Sequence, residues 1–273
     1  MAEITTNGVR FHLQRLTRRH RSSQLEHPVV FIHGLILDNL SSYYCTLANP
    51  VAHAGADVIL YDQRGHGLSE RPLSGYRLSD SVADLAGLLD ALGVDGPVHL
   101  VGNSYGGTVA LGFAVEYPER VASMVLIEAR VPLEGWAEQM TATIRTIGSD
   151  LAAGESGRWV AQNRKHTDPT ALGQDLIQHT TFIKDLLATE PLEERQLRMV
   201  TCPVRAVYGK QSDILHHAHV LDGLLPQCAL TVLPDGDHLV LAKATRVVRA
   251  IVLDWFTAQT MATQAMATQA SLQ

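Results

Sequence analysis

The chain has 273 residues, carries a formal net charge of −6 and is 46% hydrophobic, which suits one compact domain or one domain with an insertion. Acidic and basic residues are interspersed, so nucleic acid is not an expected partner. The three cysteines are far apart and form no C-x-x-C pair, which argues against a disulfide framework and a zinc site. Without a leader pattern or a long apolar run, we expect a cytoplasmic protein that does not enter a membrane.

Short apolar runs predict strands, and several lack the polar alternation of a sheet with one wet face. The predicted strands are 9–16, 28–32, 58–61, 98–101, 124–128, 204–208 and 230–233. Helical patterns lie between them at about 40–54, 78–92, 105–117, 216–225 and 239–256. This alternation predicts an α/β fold with a doubly wound, mostly parallel sheet.

The alternation stops between about residues 132 and 200. We predict helices there at 133–151, 156–163, 170–188 and 190–199. The strand before this stretch ends at the carboxyl edge of the sheet, where ligands bind in such folds. We therefore interpret 132–199 as a helical cap on a core formed by 1–131 and 200–257. The alternative is an enlarged crossover without a role in binding.

The end of the chain contains a tandem repeat. Met-Ala-Thr-Gln-Ala occurs at 261–265 and again at 266–270. The repeat is too short for a solenoid and too polar for a core, so we expect a disordered low-complexity tail over 258–273.

One serine lies in a glycine-rich turn between a predicted strand and a predicted helix. The segment 102–107 reads Gly-Asn-Ser-Tyr-Gly-Gly and places Ser104 in the turn. Such a G-x-S-x-G turn, called a nucleophile elbow, holds the hydroxyl at a helix start, beside a base and backbone donors. The motif also occurs by chance, but the strand before it and the helix after it favour a catalytic nucleophile over a plain turn.

Two residues that follow later strands are predicted to form a catalytic triad with Ser104. His238 follows the last strand, so its imidazole should lie at the same sheet edge and take the serine proton. Asp213 follows the preceding strand and is the predicted orienting acid, in the chain order nucleophile, acid, base. Glu128, at the end of the strand before the insertion, is the alternative acid.

Backbone donors and a substrate pocket are expected near the same edge. The strand 28–32 runs into a His-Gly turn, after which the N–H of Leu35 can join the N–H of Tyr105 in an oxyanion hole. Ile36 is a candidate for an apolar pocket. The aromatic residues of the insertion, which could equally pack its helices together, are further pocket candidates: Trp136, Trp159 and Phe182.

Three histidines cluster just beyond Asp213, at 216, 217 and 219. They lack a matching set of carboxylates or cysteines, so we interpret them as a surface cluster at a helix start rather than a metal site. We predict neither a metal ion nor a cofactor, and a small-molecule substrate as the partner.

Taken together, these segments resemble the α/β-hydrolase superfamily over about 9–256. The resemblance rests on His33-Gly34, Asp62-Gln63-Arg64-Gly65-His66-Gly67-Leu68-Ser69, the Ser104 elbow, Gly209-Lys210-Gln211-Ser212-Asp213 and Gly236-Asp237-His238. It points to capped esterases, lactonases, thioesterases and carbon–carbon hydrolases. The D-x-R-G-x-G-x-S segment is a structural loop in this family, so we assign no catalytic role to Asp62, Arg64 or His66.

The resemblance implies a serine hydrolase that cleaves an ester, lactone or thioester of a small apolar acyl substrate through an acyl-enzyme. A serine at the elbow argues against haloalkane dehalogenases and soluble epoxide hydrolases, which use a carboxylate nucleophile. Asn103-Ser104 resembles the elbow of meta-cleavage-product hydrolases, which break carbon–carbon bonds, although residues 35–38 replace their glycine-rich segment. The other alternative is a non-catalytic, ligand-binding protein of the same fold.

Overall fold

Alternating strands and helices build one sheet that is covered on both faces. The computed structural model describes residues 2–17, 25–152 and 169–270. Its eight-stranded sheet has the order β1-β2-β4-β3-β5-β6-β7-β8. The strands are β1 (Ala2–Thr6), β2 (Val9–Leu16), β3 (Val29–Ile32), β4 (Val58–Tyr61), β5 (Val98–Asn103), β6 (Val121–Ile127), β7 (Val204–Gly209) and β8 (Cys228–Leu233). Strand β2 pairs antiparallel with β1 and β4, and the other pairs are parallel. The predicted α/β fold is thus confirmed.

The helices flank this sheet and fill the insertion between β6 and β7. They are α1 (Ser41–Tyr43), α2 (Asn49–His53), α3 (Leu78–Ala91), α4 (Tyr105–Glu116), α5 (Trp136–Ala152), α6 (Pro169–His179), α7 (Phe182–Leu187), α8 (Glu194–Arg198), α9 (Leu215–Leu224), α10 (Val240–Lys243) and α11 (Thr245–Ala270). A π-helical segment, Tyr44–Ala48, joins α1 to α2, and a 3-10 turn, Pro118–Arg120, follows α4. Within the described ranges, every helix is too short or too polar to cross a bilayer.

Both faces of the central strands are buried because apolar residues fill both of them. Val30 and Ile32 of β3 belong to a core with α3, α4 and α9. Val29 and Phe31 belong to the opposite core, with the π-helical segment and α11. Successive side chains of a strand point to opposite faces, so burial of both explains the unbroken apolar runs in the sequence.

Strand β1 is absent from the sequence-based prediction. It forms a hairpin with β2 through Asn7 and Gly8, whose φ angles are 51° and 72°. A two-residue turn with positive φ at both positions suits the right-handed twist of a hairpin, and Asn-Gly is its strongest sequence signal. The hairpin was therefore predictable from this dipeptide.

The expected disordered tail is instead helical over its described part. Helix α11 runs from Thr245 to Ala270, through both copies of the repeat. Thr260 is buried, and its hydroxyl donates to the Phe256 carbonyl at 3.0 Å. Alanine, methionine and glutamine favour helices, and the repeat contains neither glycine nor proline. Low complexity alone was therefore a poor reason to predict disorder.

The described part of the insertion is helical, as predicted, with different boundaries. Helix α5 packs against α6 and α7. The single helix predicted at 170–188 is divided into α6 and α7, and Thr181 between them donates its N–H to the Leu73 carbonyl at 2.8 Å. The helix predicted at 156–163 lies outside the described residues. Helix α5 also contributes to the cavity described below.

Candidate active site

Ser104 occupies a strained turn between β5 and α4. Its φ of 52° and ψ of −117° fall in a region that non-glycine residues rarely adopt. Its N–H donates to the Ile127 carbonyl at 2.9 Å, which ties the turn to β6. A Cβ at Gly102 would lie 2.4 Å from the Gly106 carbonyl oxygen, and one at Gly106 would lie 1.9 Å from that of Ile32. Only glycine at both positions allows the close approach that holds Ser104 at the start of α4.

His238 lies on the loop after β8 and reaches Ser104. Its Nε2 is 3.3 Å from Ser104 Oγ, and its Nδ1 is 3.1 Å from Glu128 Oε2. The loop is anchored to the turn after β7, where Gln211 donates its N–H to the Gly236 carbonyl at 2.8 Å. In this arrangement the proton on Nδ1 points to the carboxylate, which leaves Nε2 free to accept the serine proton.

The carboxylate that contacts His238 belongs to Glu128, directly after β6. Glu128 is fully buried and has a φ of 51°. Its Oε1 accepts the Gly209 N–H at 2.6 Å, and its Oε2 accepts the Ser212 hydroxyl at 2.5 Å. These donors compensate a buried negative charge for its lost hydration. They also fix the oxygen that faces the imidazole.

The placement of Asp213 corrects its predicted role. Its side chain is 72% exposed, and its carboxylate lies 3.6 Å from the Arg130 guanidinium. Hydrogen bonds from Gly209 and Ser212 direct the loop after β7 onto Glu128 and leave Asp213 at the cavity surface. The carboxylate beside the imidazole is therefore that of Glu128, the alternative acid. The sequence signal for Glu128 was a single carboxyl directly after the apolar run 124–127, because a carboxylate buried there requires hydrogen-bond donors.

The predicted oxyanion donors belong to two segments that meet near Ser104. Leu35 lines the cavity next to the elbow, and Tyr105 is the first residue of α4. Neither backbone N–H donates to an acceptor in the described part of the chain. Both groups are thus available to a ligand at this point.

His66, to which we assigned only a structural place in the D-x-R-G-x-G-x-S loop, holds the loop of Leu35. The next residue, Ile36, has a φ of 70°, a strained value for a β-branched side chain, and donates its N–H to His66 Nε2 at 2.8 Å. The His66 Nδ1 lies 2.8 Å from the Arg64 carbonyl, which places the ring proton on that nitrogen. Burial and the nearby His33 lower the pKa of His66 to about 3, so the ring stays neutral and keeps its acceptor near pH 7.

A cavity of about 830 Å³ opens onto Ser104. Its wall is largely apolar, because residues from the loop after β3, from one face of α5 and from the start of α10 line it: Leu35, Ile36, Leu37, Met140, Ile144, Ile147, Leu239 and Leu241. Polar side chains also reach it, among them Asp38, Asn103, Arg130, Asp213 and His238. The cavity therefore combines an apolar surface with a few charged groups close to the serine.

Of the four predicted pocket residues, Ile36 lines this cavity. Trp136 instead stacks on Tyr105, with ring centroids 6.2 Å apart, and Phe182 packs against Tyr76 in a T-shaped arrangement with ring centroids 5.5 Å apart. Both are buried and join the insertion to the core, which corrects their predicted role. Trp159 lies outside the described residues.

The histidine cluster is only partly on the surface. His217 is buried, and its Nδ1 accepts the Val131 N–H at 3.3 Å. Burial, with a contribution from His216, lowers the pKa of His217 to about 4. Within the described ranges, no three potential ligands are grouped so that they could hold a metal ion.

Sequence comparisons relate the chain to a family profile and to named proteins. A family profile described as "alpha/beta hydrolase fold" matches residues 27–172. A 2-(acetamidomethylene)succinate hydrolase from Mesorhizobium japonicum is 32% identical over 266 residues, covering 85% of this chain and 88% of the relative. A non-heme chloroperoxidase from Streptomyces lividans is 39% identical over 111 residues, covering 39% of this chain and 38% of the relative. That second match thus spans well under half of the relative's length.

Solved structures share the same architecture. The enol-lactonase from Burkholderia xenovorans LB400 superposes with a TM-score of 0.72 at 17% identity, covering 94% of this chain and 100% of that chain. An esterase from Exiguobacterium antarcticum has a TM-score of 0.72 at 19% identity, covering 92% and 97%. At these identities the likeness establishes the fold. Since the family profile covers more than half of the chain and a relative matches it over most of its length, the chain belongs to the alpha/beta hydrolase family.

Proposed function

We propose that the enzyme is a serine hydrolase that cleaves an ester, lactone or thioester bond through an acyl-enzyme on Ser104. The observation that carries this proposal is the path from Ser104 Oγ to His238 Nε2, 3.3 Å, and from His238 Nδ1 to Glu128 Oε2, 3.1 Å. A nucleophile, a base and an orienting acid in this order are what acyl transfer requires.

In the acylation step, Ser104 Oγ attacks the substrate carbonyl carbon while His238 Nε2 takes the hydroxyl proton. The carbonyl oxygen becomes an anion, which the N–H groups of Leu35 and Tyr105 stabilise by about 3 kcal/mol per donor. When the bond to the leaving group breaks, the imidazolium returns its proton to the departing oxygen or sulfur. The acyl group then remains on Ser104.

In the deacylation step, water repeats the attack. His238 takes a proton from the water as its oxygen adds to the acyl carbon, and it then protonates Ser104 Oγ as the acyl–oxygen bond breaks. The products are a carboxylic acid and the regenerated serine. In both steps Glu128 holds the imidazole orientation and stabilises its positive charge, without taking the proton itself.

The shape of the cavity supports a small acyl substrate under a helical cap. Met140, Ile144 and Ile147 recur on one face of α5 and line the cavity beside the loop after β3. Apolar walls of this kind bind the carbon skeleton of a ligand, and a few polar groups orient it. We propose that the insertion acts as the cap of the site.

A substrate panel with a nucleophile variant tests the proposal. Wild type, Ser104→Ala and a control, Ser74→Ala, in which an exposed serine is replaced, are assayed on p-nitrophenyl esters of increasing acyl length, lactones and acyl thioesters. We expect turnover by wild type and the control, and a loss of at least about 10³-fold in Ser104→Ala. Equal turnover by wild type and Ser104→Ala would overturn the proposal.

Carbon–carbon bond hydrolysis is the second candidate. The 2-hydroxy-6-oxo-6-phenylhexa-2,4-dienoate hydrolase from Comamonas testosteroni is 40% identical over 105 residues, which span 36% of that protein. Asn103, beside the nucleophile, lines the cavity and is the residue on which the resemblance to such elbows rests. Loss of the absorbance of a coloured dienoate on incubation would support this reaction, and unchanged absorbance would exclude it for that compound.

A further inference from the structure

Arg130 is a buried cation in the wall of the cavity. It lies two residues after Glu128, is 6% exposed, and lines the same cavity as Ser104 and His238. A buried guanidinium carries five N–H donors and a full charge, and is normally matched by a carboxylate in close contact. Among the residues that the structure describes, no carboxylate lies in such close contact with Arg130.

The contacts of Arg130 are long and few. In the described part of the chain, its guanidinium lies 3.5 Å from Thr143 Oγ1 and 3.6 Å from Asp213 Oδ2. Charge-assisted hydrogen bonds are usually about 2.7–2.9 Å long. The Asp213 side chain is also 72% exposed, so solvent screens much of its charge.

Another buried arginine of this chain shows what full pairing looks like. Arg64 donates its Nε to one oxygen of Asp84 at 2.5 Å and a terminal nitrogen to the other at 2.6 Å. Arg130 makes no two-pronged contact of this kind with any described residue, although it is buried to a similar degree. The contrast indicates that Arg130 keeps donors for a partner that enters the cavity.

The other acidic groups around the cavity are already engaged. Asp38 accepts the N–H groups of Gly34 at 2.7 Å and Asn39 at 2.9 Å. Glu128 is held by its donors after β7 and by His238. Burial lowers the pKa of Arg130, whereas Asp213 and Glu128 oppose that shift, so the group remains a cation.

We propose that Arg130 binds a carboxylate on the acyl portion of the substrate, so that the enzyme acts on half-esters, half-thioesters or lactones of dicarboxylic acids. This inference rests on the proposed function of Ser104. The planar guanidinium offers parallel N–H donors that match the two oxygens of a carboxylate. The apolar wall takes the methylene chain between that carboxylate and the reacting carbonyl.

Matched substrates separate the contribution of this charge from that of general binding. Mono-p-nitrophenyl adipate is compared with its methyl ester, which has the same chain without the charge, and the glutarate and suberate pairs cover other spans. We expect wild type to prefer the charged member of at least one pair. The ratio of kcat/KM values, charged over neutral, should fall about 10- to 100-fold in Arg130→Met and partly recover in Arg130→Lys. Arg195→Met, which replaces an exposed arginine of α8, should keep the wild-type ratio.

Removing the Asp213 carboxylate, which competes with the substrate carboxylate for Arg130, should have the opposite effect on this ratio. Asp213→Asn frees Arg130 from its only described ion-pair partner, so the same ratio should rise several-fold. This variant keeps the guanidinium and changes an exposed side chain, so it remains informative if Arg130→Met does not fold. An unchanged or lower ratio in Asp213→Asn would count against the proposal.

Calorimetry tests binding without turnover. In the Ser104→Ala background, which cannot form the acyl-enzyme, adipate should bind more tightly than dimethyl adipate, and adding Arg130→Met should abolish this preference. Equal affinity for both compounds, together with no preference for charged esters at any length, would overturn the role of Arg130. If wild type hydrolyses none of the esters but adipate binding still depends on Arg130, the proposed function would be overturned and the carboxylate site would be retained.

Discussion

At the scale of single residues, the identity of the acid decides how His238 works. Glu128 is buried and contacts the imidazole, whereas Asp213 is exposed. Glu128→Gln should therefore lower kcat/KM on a neutral p-nitrophenyl ester about 10²- to 10⁴-fold, because the amide favours the wrong imidazole tautomer. Asp213→Asn, the matched control, should stay within about threefold of wild type. The reverse order of effects, measured by steady-state kinetics, would restore Asp213 as the acid.

His66 offers a second test at the same scale. His66→Leu removes the acceptor of the Ile36 N–H and should cost about 1–3 kcal/mol of unfolding free energy. Because the strained loop also carries Leu35, the predicted oxyanion donor, we expect His66→Leu to lower kcat by a larger factor than it changes KM. His66→Gln, whose amide oxygen can accept the same N–H, should recover part of kcat, and His53→Leu, at an exposed histidine, should behave as wild type. Loss of stability without any change in kcat would contradict a positioning role.

The contact between Ser104 and His238 follows from the sequence, whereas the carboxylate that lies beside the imidazole does not, for a physical reason. The elbow is a local device, in which glycines, strand and helix are adjacent in the chain. The choice between Glu128 and Asp213 depends on which loop residue turns inward. That is settled by hydrogen bonds from Ser212 and Gly209, far from Glu128 in sequence.

At the scale of elements, the approach of α4 to β3 depends on Gly106. A Cβ there would meet the Ile32 carbonyl oxygen at 1.9 Å, so Gly106→Ala must displace the helix or the strand. We expect a loss of about 1–3 kcal/mol or more of stability, measured by urea unfolding, and a loss of the proposed ester hydrolysis, measured by initial rates. Gly223→Ala is the control, since its helical position has open space and should gain up to about 1 kcal/mol. Equal stability of the two variants would contradict the close packing at the elbow.

The sequence predicts strands correctly where both of their faces are buried. It does not predict the direction of a side chain that depends on how two elements pack together. The central strands are covered on both sides, so their apolar runs identify them directly. The direction of Trp136 and Phe182, by contrast, depends on how the insertion docks on Tyr105 and Tyr76. Aromatic content alone therefore could not separate cavity wall from packing.

At the scale of the whole molecule, buried histidines make stability depend on pH. Burial lowers the pKa of His99 to about 3 and that of His66 also to about 3, from the ordinary histidine value of about 6.5. Between about pH 3 and about pH 6.5, the unfolded chain binds more protons than the folded one. The free energy of unfolding should therefore fall as the pH drops below about 6.5. The limiting slope is about 1.4 kcal/mol per pH unit for each such histidine.

Urea unfolding at about pH 7 and about pH 5 measures this slope. His99→Gln should reduce the loss of stability between the two pH values, because the titrating group is gone. His179→Gln, at a side chain that is 69% exposed, should leave the loss unchanged. The same loss in wild type and His99→Gln would contradict the contribution of this residue.

The most direct measurement of the central claim is the site of fluorophosphonate modification. The reagent phosphonylates a serine whose proton is removed by a neighbouring base, so mass spectrometry of digested protein should find the adduct on Ser104. The same adduct should be absent from Ser104→Ala and form much more slowly in His238→Asn. A folded wild-type protein that stays unlabelled, or that is labelled at another residue, would contradict the account.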